Sequence, residues 1–339
     1  MIWVDDECNR CQPNFILRRK CMQRVVQTDN LTYEQWRMLR KNGIGGSDAA
    51  AILGVSPFKS VLELWREKRI DALEAQEETE EAYWGKKLES IVRVVFSTRR
   101  GLSIYTEGFL LQHTDYPFMQ ANLDGYLHDS VYGPCVFEAK TASAYKASDW
   151  ENGVPDEYYA QLQHYMAVTG YKGAYIAALI GGNKFIWKFV ERDNDYIENL
   201  IRKEDAFWIC VLTDKEPAAD GSKATSNYLD NRYPTADEKE TVLLNQGSQQ
   251  WIDLYLDAKK REKIAVQEKE LAENQLKVLL QNKEKGVLGQ TEVIWQEIIS
   301  ERFNTKELKR DEPELYEQYA YKMRYRKFSI KQRKGESNE

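Results

Sequence analysis

The stretch Val136-Phe137-Glu138-Ala139-Lys140 decides the fold of this chain, together with Asn122-Leu123-Asp124-Gly125 shortly before it. Side chains of a β-strand alternate between its two faces. If residues 136–140 form a strand, Glu138 and Lys140 point to one side while Phe137 and Ala139 point to the other. The sequence therefore predicts a carboxylate and an amine side by side on one face of a strand that is apolar on its other face.

This combination of side chains suits metal-dependent cleavage of a phosphodiester. The negative charge of a phosphodiester repels hydroxide, so a hydrolase uses a divalent metal to offset charge and to lower the pKa of the attacking water. Mg²⁺ prefers hard oxygen ligands and usually keeps several waters. Asp124 and Glu138 are the predicted carboxylate ligands. Lys140 would then orient the nucleophilic water or stabilise the pentacovalent phosphate, and the pattern indicates a nuclease.

Each half of the pattern also has a simpler interpretation. Glu and Lys two residues apart are common on the solvated face of a strand, and Asp124-Gly125 is a typical tip of a β-hairpin. Two further segments favour a site. Glu89 lies in a predicted amphipathic helix, and residues 158–166 are predicted to form a helix after Pro155. On that second helix Tyr158, Gln161 and Tyr165 share one face, which is unusually polar for a core.

The order Glu89, Asp124, Glu138-x-Lys140, Gln161 resembles the PD-(D/E)XK nuclease superfamily. Within it, the segments at residues 41–50 and 159–165 resemble the phage lambda exonuclease and YqaJ-like viral recombinase family. The resemblance covers roughly residues 30–213. It implies an α/β fold with a central mixed β-sheet flanked by helices. It also implies a Mg²⁺-dependent exonuclease that digests one strand of linear duplex DNA from the 5′ end and leaves 3′ single-stranded tails for recombination.

By the same resemblance, Asp124, Glu138 and Glu89 hold Mg²⁺, for which Mn²⁺ could substitute, with Glu89 in contact with a metal or its water. Lys140 is the catalytic lysine, Gln161 positions Lys140 or the water, and Tyr158 is the neighbour of Gln161. Further implied properties are action on duplex DNA ends, a single-strand annealing protein as partner and a trimeric assembly. A chain of this family is expected in the cytoplasm of a bacterial host, encoded by a phage or prophage.

A glycine-rich segment precedes these motifs. Gly43, Gly45 and Gly46 allow close backbone approach, and Ser47-Asp48 are predicted to cap a helix that begins with alanines. In the family an arginine seven residues before a serine holds the terminal 5′-phosphate with it, and Arg40 and Ser47 have this separation. The simpler alternative is an N-cap behind a tight turn. The segment is not a P-loop, because no Gly-Lys-Ser/Thr ends it.

Composition agrees with a large folded core, since 42% of the 339 residues are hydrophobic. The net charge of −6 is unusual for a DNA-binding protein, but phosphate contacts depend on local clusters of Lys and Arg. Such clusters occur at residues 18–20, 37–41, 99–100 and 324–334. No apolar stretch is long enough to span a membrane. Cys8, Cys11 and Cys21 raise the alternative of a structural metal, although a fourth ligand is missing from the pattern.

The sequence predicts four regions: a polar, basic lead-in at residues 1–30, the nuclease domain at residues 31–213, a linker at residues 214–240 and an extension at residues 241–339. In the extension, Trp251 to Leu280 is predicted to form a long charged helix, as a coiled-coil seam or as a packing arm. The basic tail, with Arg324, Arg326 and Lys331, would add a duplex-binding surface or act only as a solubilising end.

Two other functions stay open at this stage. The first is an endonuclease of the same superfamily, which needs no free DNA end. The second is a DNA-binding recombination adaptor whose nuclease fold is catalytically inert. The complete set Glu89, Asp124, Glu138, Lys140 and Gln161 argues against the adaptor, and the Arg40 and Ser47 pair argues for end recognition.

Overall fold

A computed structural model describes residues 21–28, 31–69, 79–237 and 240–331. The chain divides into two compact units, residues 1–232 and residues 233–339, and the boundary falls within the predicted linker. Cys8, Cys11 and the predicted basic cluster at residues 18–20 lie outside the described residues. The suggested cysteine metal site therefore concerns a part of the chain that is not described, apart from Cys21.

The first unit combines a mixed sheet with helices. Its elements in chain order are β1 (Met22–Gln27), α1 (Tyr33–Lys41), α2 (Gly46–Ile52), α3 (Val61–Arg69), α4 (Glu80–Arg100), β2 (Ile104–Tyr105), β3 (Phe109–His113), β4 (Gln120–Ala121), β5 (Gly125–Asp129), β6 (Gly133–Ala142), a 3₁₀ helix (Ala144–Trp150), α5 (Asp156–Thr169), β7 (Gly173–Ile180), β8 (Lys184–Glu191), α6 (Asn194–Leu212) and α7 (Lys223–Arg232).

The central sheet has five strands in the order β2-β5-β6-β7-β8. Strands β6 and β7 are parallel, while the other neighbouring pairs are antiparallel. A parallel pair needs a crossover connection, which the chain provides through α5. The predicted α/β fold with a mixed sheet flanked by helices is confirmed, and β6 lies at the centre of that sheet.

The two faces of β6 lie in different hydrophobic clusters. Phe137 packs with Val92 and Phe96 of α4, so this face is fully apolar. On the opposite face Val136 packs with Leu162 and other residues of α5. This helix is buried over almost its whole length, from Ala160 to Thr169. The face of β6 that carries Glu138 therefore lies beneath a buried helix, which keeps bulk water away from the carboxylate.

The region around residues 105–127 differs from the expected β-meander. It forms four short strands that belong to two sheets, because β3 pairs with both β1 and β4 in a separate three-stranded sheet. Strand β1 lies within the predicted lead-in and pairs with β3 from Met22↔His113 to Gln27↔Phe109. A partner more than eighty residues away leaves no local pattern, so the sequence alone did not reveal this strand.

The second unit contains the remaining elements. They are a short 3₁₀ helix (Gln246–Ser248), α8 (Gln249–Leu280), β9 (Lys285–Leu288), β10 (Thr291–Ile294), α9 (Thr305–Asp311) and α10 (Pro313–Tyr319). Strands β9 and β10 form an antiparallel hairpin. The predicted linker is partly helical, since α7 lies within residues 214–240 and its Tyr228 and Leu229 pack in the first unit. Among the described residues, no helix is long and apolar enough to cross a membrane.

Candidate active site

The two side chains predicted to share a face of β6 do so. Lys140 Nζ donates a hydrogen bond to Glu138 Oε1 at 2.6 Å. The Glu138 side chain is 3% exposed and that of Lys140 is 21% exposed, so the carboxylate is buried while the lysine side chain is partly exposed. The alternative of a solvated strand face is therefore excluded for Glu138.

Gln161 on α5 contacts the same carboxylate oxygen. Its Nε2 donates to Glu138 Oε1 at 2.6 Å and to the Tyr165 hydroxyl at 3.0 Å. Both protons of the amide nitrogen are thus used, which fixes the rotation of the Gln161 side chain. Glu138 Oε1 accepts two bonds, whereas Glu138 Oε2 is buried without a hydrogen-bond partner among the described residues.

Asp124 lies directly before β5 and faces the neighbouring strand. Its Oδ2 accepts a hydrogen bond from the backbone N–H of Ala139 at 2.9 Å. The turn of the β5–β6 hairpin lies instead near Asp129, whose Oδ1 accepts from two turn N–H groups. Asp124-Gly125 is therefore not a hairpin tip. Gly125 is needed for close packing, because a Cβ there would lie 2.6 Å from Ile104 Cγ2.

Glu89 reaches the same region from α4 but is held by another residue. It forms an ion pair with Arg93, four residues later on the helix. This arginine was not identified from the sequence, although the i, i+4 spacing is a recognisable signal. Arg93 Nε is buried without a hydrogen-bond partner among the described residues. The charge of Asp124 acts on Glu89. Among the described contacts, Glu89 forms no direct hydrogen bond with Asp124 or Glu138.

Tyr158 lies beside the catalytic lysine candidate. Lys140 Nζ sits 5.2 Å from the centroid of the Tyr158 ring, at the distance of a cation–π contact. The Trp150 ring is stacked on the Tyr158 ring, with 5.5 Å between the two ring centroids. The aromatic pair limits the positions that the ammonium can adopt.

Burial and mutual repulsion control the charges of the carboxylates. Burial, followed by the charge of Asp124, raises the pKa of Glu138 to about 8. Burial likewise raises the pKa of Asp124, and burial together with Asp124 raises that of Glu89. Burial lowers the pKa of Lys140, but Glu138 and Asp124 outweigh this effect, so the pKa is raised and the amine stays charged.

The donor set of this site fits a hard divalent cation. Carboxylate oxygens are the ligands that Mg²⁺ and Mn²⁺ prefer. Among the described residues, no three Asp, Glu, His or Cys side chains converge as a ready-made metal cage. The site nevertheless contains the buried carboxylate of Glu138 and the half-buried carboxylate of Asp124. The unpartnered Glu138 Oε2 is an acceptor that a cation would satisfy. Asp124 and Glu138 are the residues that could hold a metal, with water completing its coordination.

The two residues of the predicted phosphate site, Arg40 and Ser47, are in contact. Arg40 Nη2 donates to Ser47 Oγ at 2.6 Å, and its guanidinium lies 5.0 Å from the Trp36 ring. The expected cap by Ser47-Asp48 is wrong in detail. Helix α2 begins at Gly46 with Gly45 as N-cap, and Asp48 Oδ2 accepts from the Gly45 N–H at 3.0 Å. Glycine has no side chain to cap with, so the third helical residue takes this role.

A buried ion pair lies beneath Arg40. Asp48 Oδ2 accepts from Lys68 Nζ at 2.8 Å, and Asp48 Oδ1 accepts from Arg40 at 3.1 Å. Burial opposes ionisation of Asp48, but Lys68 and Arg40 overcome it and lower its pKa. Lys68 also donates to the carbonyls of Arg40 and Gly43, at 2.7 Å each. No sequence pattern pointed to Lys68, because its partners lie 20 to 28 residues earlier in the chain.

Helix α2 packs directly on the helix that carries Gln161. A Cβ at Gly46 would lie 2.5 Å from Tyr165 Cε1 and 2.9 Å from Gln161 Cγ. Such distances are too short for any side chain, so glycine is required at this position. Helix α2, which carries Ser47, therefore packs tightly against the helix that carries Gln161.

Comparison with known proteins identifies the family of this chain. Residues 35–172 match the model of the YqaJ-like viral recombinase domain. The uncharacterized protein YqaJ of Bacillus subtilis (strain 168) is 36% identical over 313 residues, which are 91% of this chain and 97% of that protein. The chain belongs to the YqaJ-like viral recombinase family. The family expected from the sequence is confirmed, and the prediction of an enzyme acting on DNA is in keeping with it.

Solved structures with some likeness to this YqaJ-like chain include an alkaline exonuclease (LHK-Exo) from Laribacter hongkongensis. It shares 19% sequence identity and covers 59% of this chain and 98% of its own, with a TM-score of 0.45. A phage related exonuclease from Haemophilus somnus 129PT shares 13% identity and covers 53% of this chain and 99% of its own, with a TM-score of 0.40. Both structures have a low sequence identity and a low TM-score, so the family assignment depends on the sequence match to YqaJ.

Proposed function

We propose that this YqaJ-like chain is a Mg²⁺-dependent deoxyribonuclease that digests linear duplex DNA from the 5′ end and leaves 3′ single-stranded tails for recombination. One observation carries the proposal: Lys140 and Gln161 donate to the same oxygen of the buried Glu138, next to Asp124, while the second Glu138 oxygen lacks a partner. A structural ion pair would satisfy both oxygens, since an unpaired buried acceptor costs about 1–3 kcal/mol.

Each side chain has a separate task in this proposal. Asp124 and Glu138 would hold the cation, and Glu89 would contact it or its water. When bound, the cation offsets phosphate charge and lowers the pKa of water. Lys140 carries a fixed positive charge at the site and would orient the water or stabilise the charge that develops on phosphorus oxygens. Gln161 fixes Glu138, and Tyr158 confines the ammonium of Lys140.

Recognition of the end would depend on Arg40 and Ser47. A 5′-terminal phosphate carries more negative charge than an internal phosphodiester, so a guanidinium and a hydroxyl at hydrogen-bond distance favour it. The negative charge of Asp48 does not cancel this attraction, because Lys68 forms an ion pair with Asp48 and neutralises that charge. Gly46 then keeps this pair at a fixed position relative to Glu138. The proposed partners are duplex DNA ends and, for the strand that remains, a phage-type single-strand annealing protein.

The test is digestion of linear 5′-phosphorylated duplex and of closed circular duplex with Mg²⁺, beside the Lys140→Ala variant. We expect release of mononucleotides from the linear DNA only, and none with the variant. Nicking of the circle would instead establish an endonuclease. Inactivity on both substrates, with DNA binding retained, would establish an inert adaptor and overturn the proposal.

The metal requirement has its own test. Asp124→Asn removes one of the two proposed carboxylate ligands while keeping the side-chain size and a hydrogen-bond acceptor for the Ala139 N–H. We expect the Mg²⁺ concentration for half-maximal cleavage to rise. An unchanged Mg²⁺ dependence would show that Asp124 is not a ligand. Replacement of Mg²⁺ by Mn²⁺ in the same assay tests whether the second cation also serves.

A further inference from the structure

The second unit ends in an exposed segment that is basic and aromatic at once. Residues 319–331, which we term the basic-aromatic segment, form no helix or strand beyond the end of α10 at Tyr319. They contain five cations and no carboxylate. The cations are Lys322, Arg324, Arg326, Lys327 and Lys331. Within the described part of the chain none of them has an ion pair, although the chain as a whole has a net charge of −6.

Large apolar side chains alternate with these cations. Tyr321 is 81% exposed, Tyr325 is 78% exposed, and Met323 between them is also exposed. Exposed aromatic rings in a neutral segment would lower solubility without benefit. Interleaved with Lys and Arg, they form a surface that offers both stacking and positive charge.

The segment is anchored to α8. The Phe328 ring lies 5.4 Å from the Tyr255 ring at an angle of 74°, and Arg326 donates to the Tyr233 carbonyl at 3.3 Å. Ile330 lines a groove of about 410 Å³ with Leu256 and three lysines of α8. These lysines are Lys259, Lys260 and Lys263. Because three lysines and no carboxylate line this groove, the local charge is positive, which suits a polyanion.

We propose that the basic-aromatic segment, with the α8 groove, binds single-stranded DNA without sequence preference. Phosphates would contact the cations, and bases would stack on Tyr321 and Tyr325. Stacking distinguishes the occupant, because every unpaired base presents a π-face whereas the bases of a duplex are already stacked on each other. An acidic protein surface would satisfy the charges but not account for the alternating tyrosines. The inference goes beyond the nuclease site and rests on the proposed function only for the origin of the single strand.

The experiment measures fluorescence anisotropy of a labelled oligothymidylate of about thirty nucleotides and of a blunt hairpin duplex with the same number of phosphates. It uses the full chain in EDTA, so that no cleavage occurs. The test variant is Arg324→Ala with Tyr325→Ala. The matched control is Arg302→Ala with Phe303→Ala, which removes another neighbouring cation and exposed ring of the same unit, with Phe303 77% exposed.

We expect the test variant to bind oligothymidylate about tenfold more weakly or worse, with a change of less than about threefold on the duplex. The control should bind both probes like the native chain. Equal losses on both probes would indicate a cationic duplex surface, and no loss on either would indicate a protein-binding segment. Either result overturns the proposal. Thermal unfolding of both variants checks that they fold.

A cleavage assay separates this proposal from the proposed nuclease function. The initial rate on a short linear duplex with Mg²⁺ should be the same for the native chain and the Arg324→Ala, Tyr325→Ala variant, since neither residue belongs to the nuclease site. If the native chain binds oligothymidylate through the segment but cuts no DNA, only the nuclease proposal is wrong. If the native chain cuts DNA and the variant binds oligothymidylate as tightly as the native chain does, only the binding proposal is wrong.

Discussion

At the scale of single residues, the Glu138 carboxylate governs the site. One oxygen accepts bonds from Lys140 and Gln161, and the other has no partner among the described residues. Bonds from a charged donor to a carboxylate are among the strongest in proteins. The first oxygen is therefore fixed in position, and the second remains able to accept a cation. This asymmetry distinguishes the site from a simple buried ion pair.

Lys140→Ala should abolish cleavage and leave binding of duplex DNA nearly intact, because the ammonium acts on charge that develops in the transition state. We expect a rate loss of about a hundredfold or more, measured on linear duplex with Mg²⁺. Lys188→Ala is the matched control, because Lys188 is a half-buried lysine of the same sheet. It lies on β8, opposite Ile176 of β7. Normal cleavage by Lys140→Ala would remove this lysine from the mechanism.

Arg40→Ala should slow digestion of 5′-phosphorylated ends more than digestion of unphosphorylated ends. A charge-assisted bond to phosphate contributes about 1.5–3 kcal/mol, so the rate ratio between the two ends should fall by about tenfold or more. The exposed Arg66 of α3 provides the control variant, Arg66→Ala. If both kinds of end lose activity equally, Arg40 does not recognise the phosphate.

At the scale of secondary-structure elements, the contact between α2 and α5 couples the two parts of the site. Gly46 allows α2 to lie against Gln161 and Tyr165 without intervening atoms. The β6–α5–β7 crossover places α5 over the Glu138 face of the sheet. The position of Ser47 on α2 relative to Gln161 on α5 is therefore set by helix packing.

Gly46→Ala should reduce both stability and activity. The added methyl group would displace Tyr165 and Gln161, and overpacking of this kind typically costs about 1–3 kcal/mol. Thermal unfolding and cleavage of linear duplex measure the two effects. Gly85→Ala is the control, because Gly85 lies in α4 with only Thr141 Oγ1 at 3.7 Å from the new Cβ. That control should be slightly more stable than the native chain, since alanine favours a helix. Equal stability and activity of both variants would disprove the packing argument.

A buried histidine joins α5 to α6. His164 Nδ1 lies 2.8 Å from Glu204 Oε1, and His164 Nε2 lies 2.9 Å from the Gln120 carbonyl, with both side chains fully buried. His164→Phe should lower the free energy of unfolding by about 3–5 kcal/mol, because it leaves Glu204 buried without its charged partner. Denaturant unfolding at neutral pH measures this loss. A loss below about 1 kcal/mol would show that the pair is energetically unimportant.

The pH dependence of stability has a definite sign for this pair. Burial lowers the pKa of His164, but Glu204 outweighs it and the pKa is raised, while burial raises the pKa of Glu204. At a pH between the ordinary and the raised pKa values, this pair therefore holds more protons in the folded state than in the unfolded state. The contribution of His164 is complete below its ordinary pKa of about 6.5 and is lost as the pH rises through the raised value. His164→Phe with Glu204→Leu should flatten this decline.

At the scale of the whole molecule, the chain consists of two compact units that meet at residues 232 and 233. The first unit contains every residue of the proposed nuclease site, and the second contains α8 and the basic-aromatic segment. Residues 242–244 follow the boundary without helix or strand, and Leu243 is 92% exposed. The two proposed functions, cleavage and single-strand binding, therefore belong to different units.

Limited proteolysis should cut the native chain first near Leu243 and Leu244. Thermolysin cleaves before exposed apolar residues, and backbone outside regular structure is cut most readily. Mass spectrometry of the earliest products should identify one fragment with all site residues from Arg40 to Gln161. The buried Leu162 and Met166 of α5 serve as internal controls, because they should resist cleavage. A first cut within α4, α5 or α6 would contradict this division.

Much of the candidate site could be predicted from the sequence. The pairing of Glu138 with Lys140 follows from strand alternation, and the shared face of Tyr158, Gln161 and Tyr165 follows from helical periodicity. The joint role of Arg40 and Ser47 was predicted from the resemblance to the family, and the two side chains are in contact. The first residue of α2 and the location of the β5–β6 turn could not be predicted from the sequence, because both depend on how neighbouring segments pack.

The family, the α/β class and a set of candidate site residues could be predicted from the sequence, because alternation, periodicity and motif order are local properties of the chain. Three features appear only in the folded structure: Lys140 and Gln161 share one Glu138 oxygen, Lys68 lies beneath Asp48, and β1 joins a second sheet. These contacts join residues 20 to 91 positions apart. Burial and long-range packing select such partners, and no local pattern encodes them.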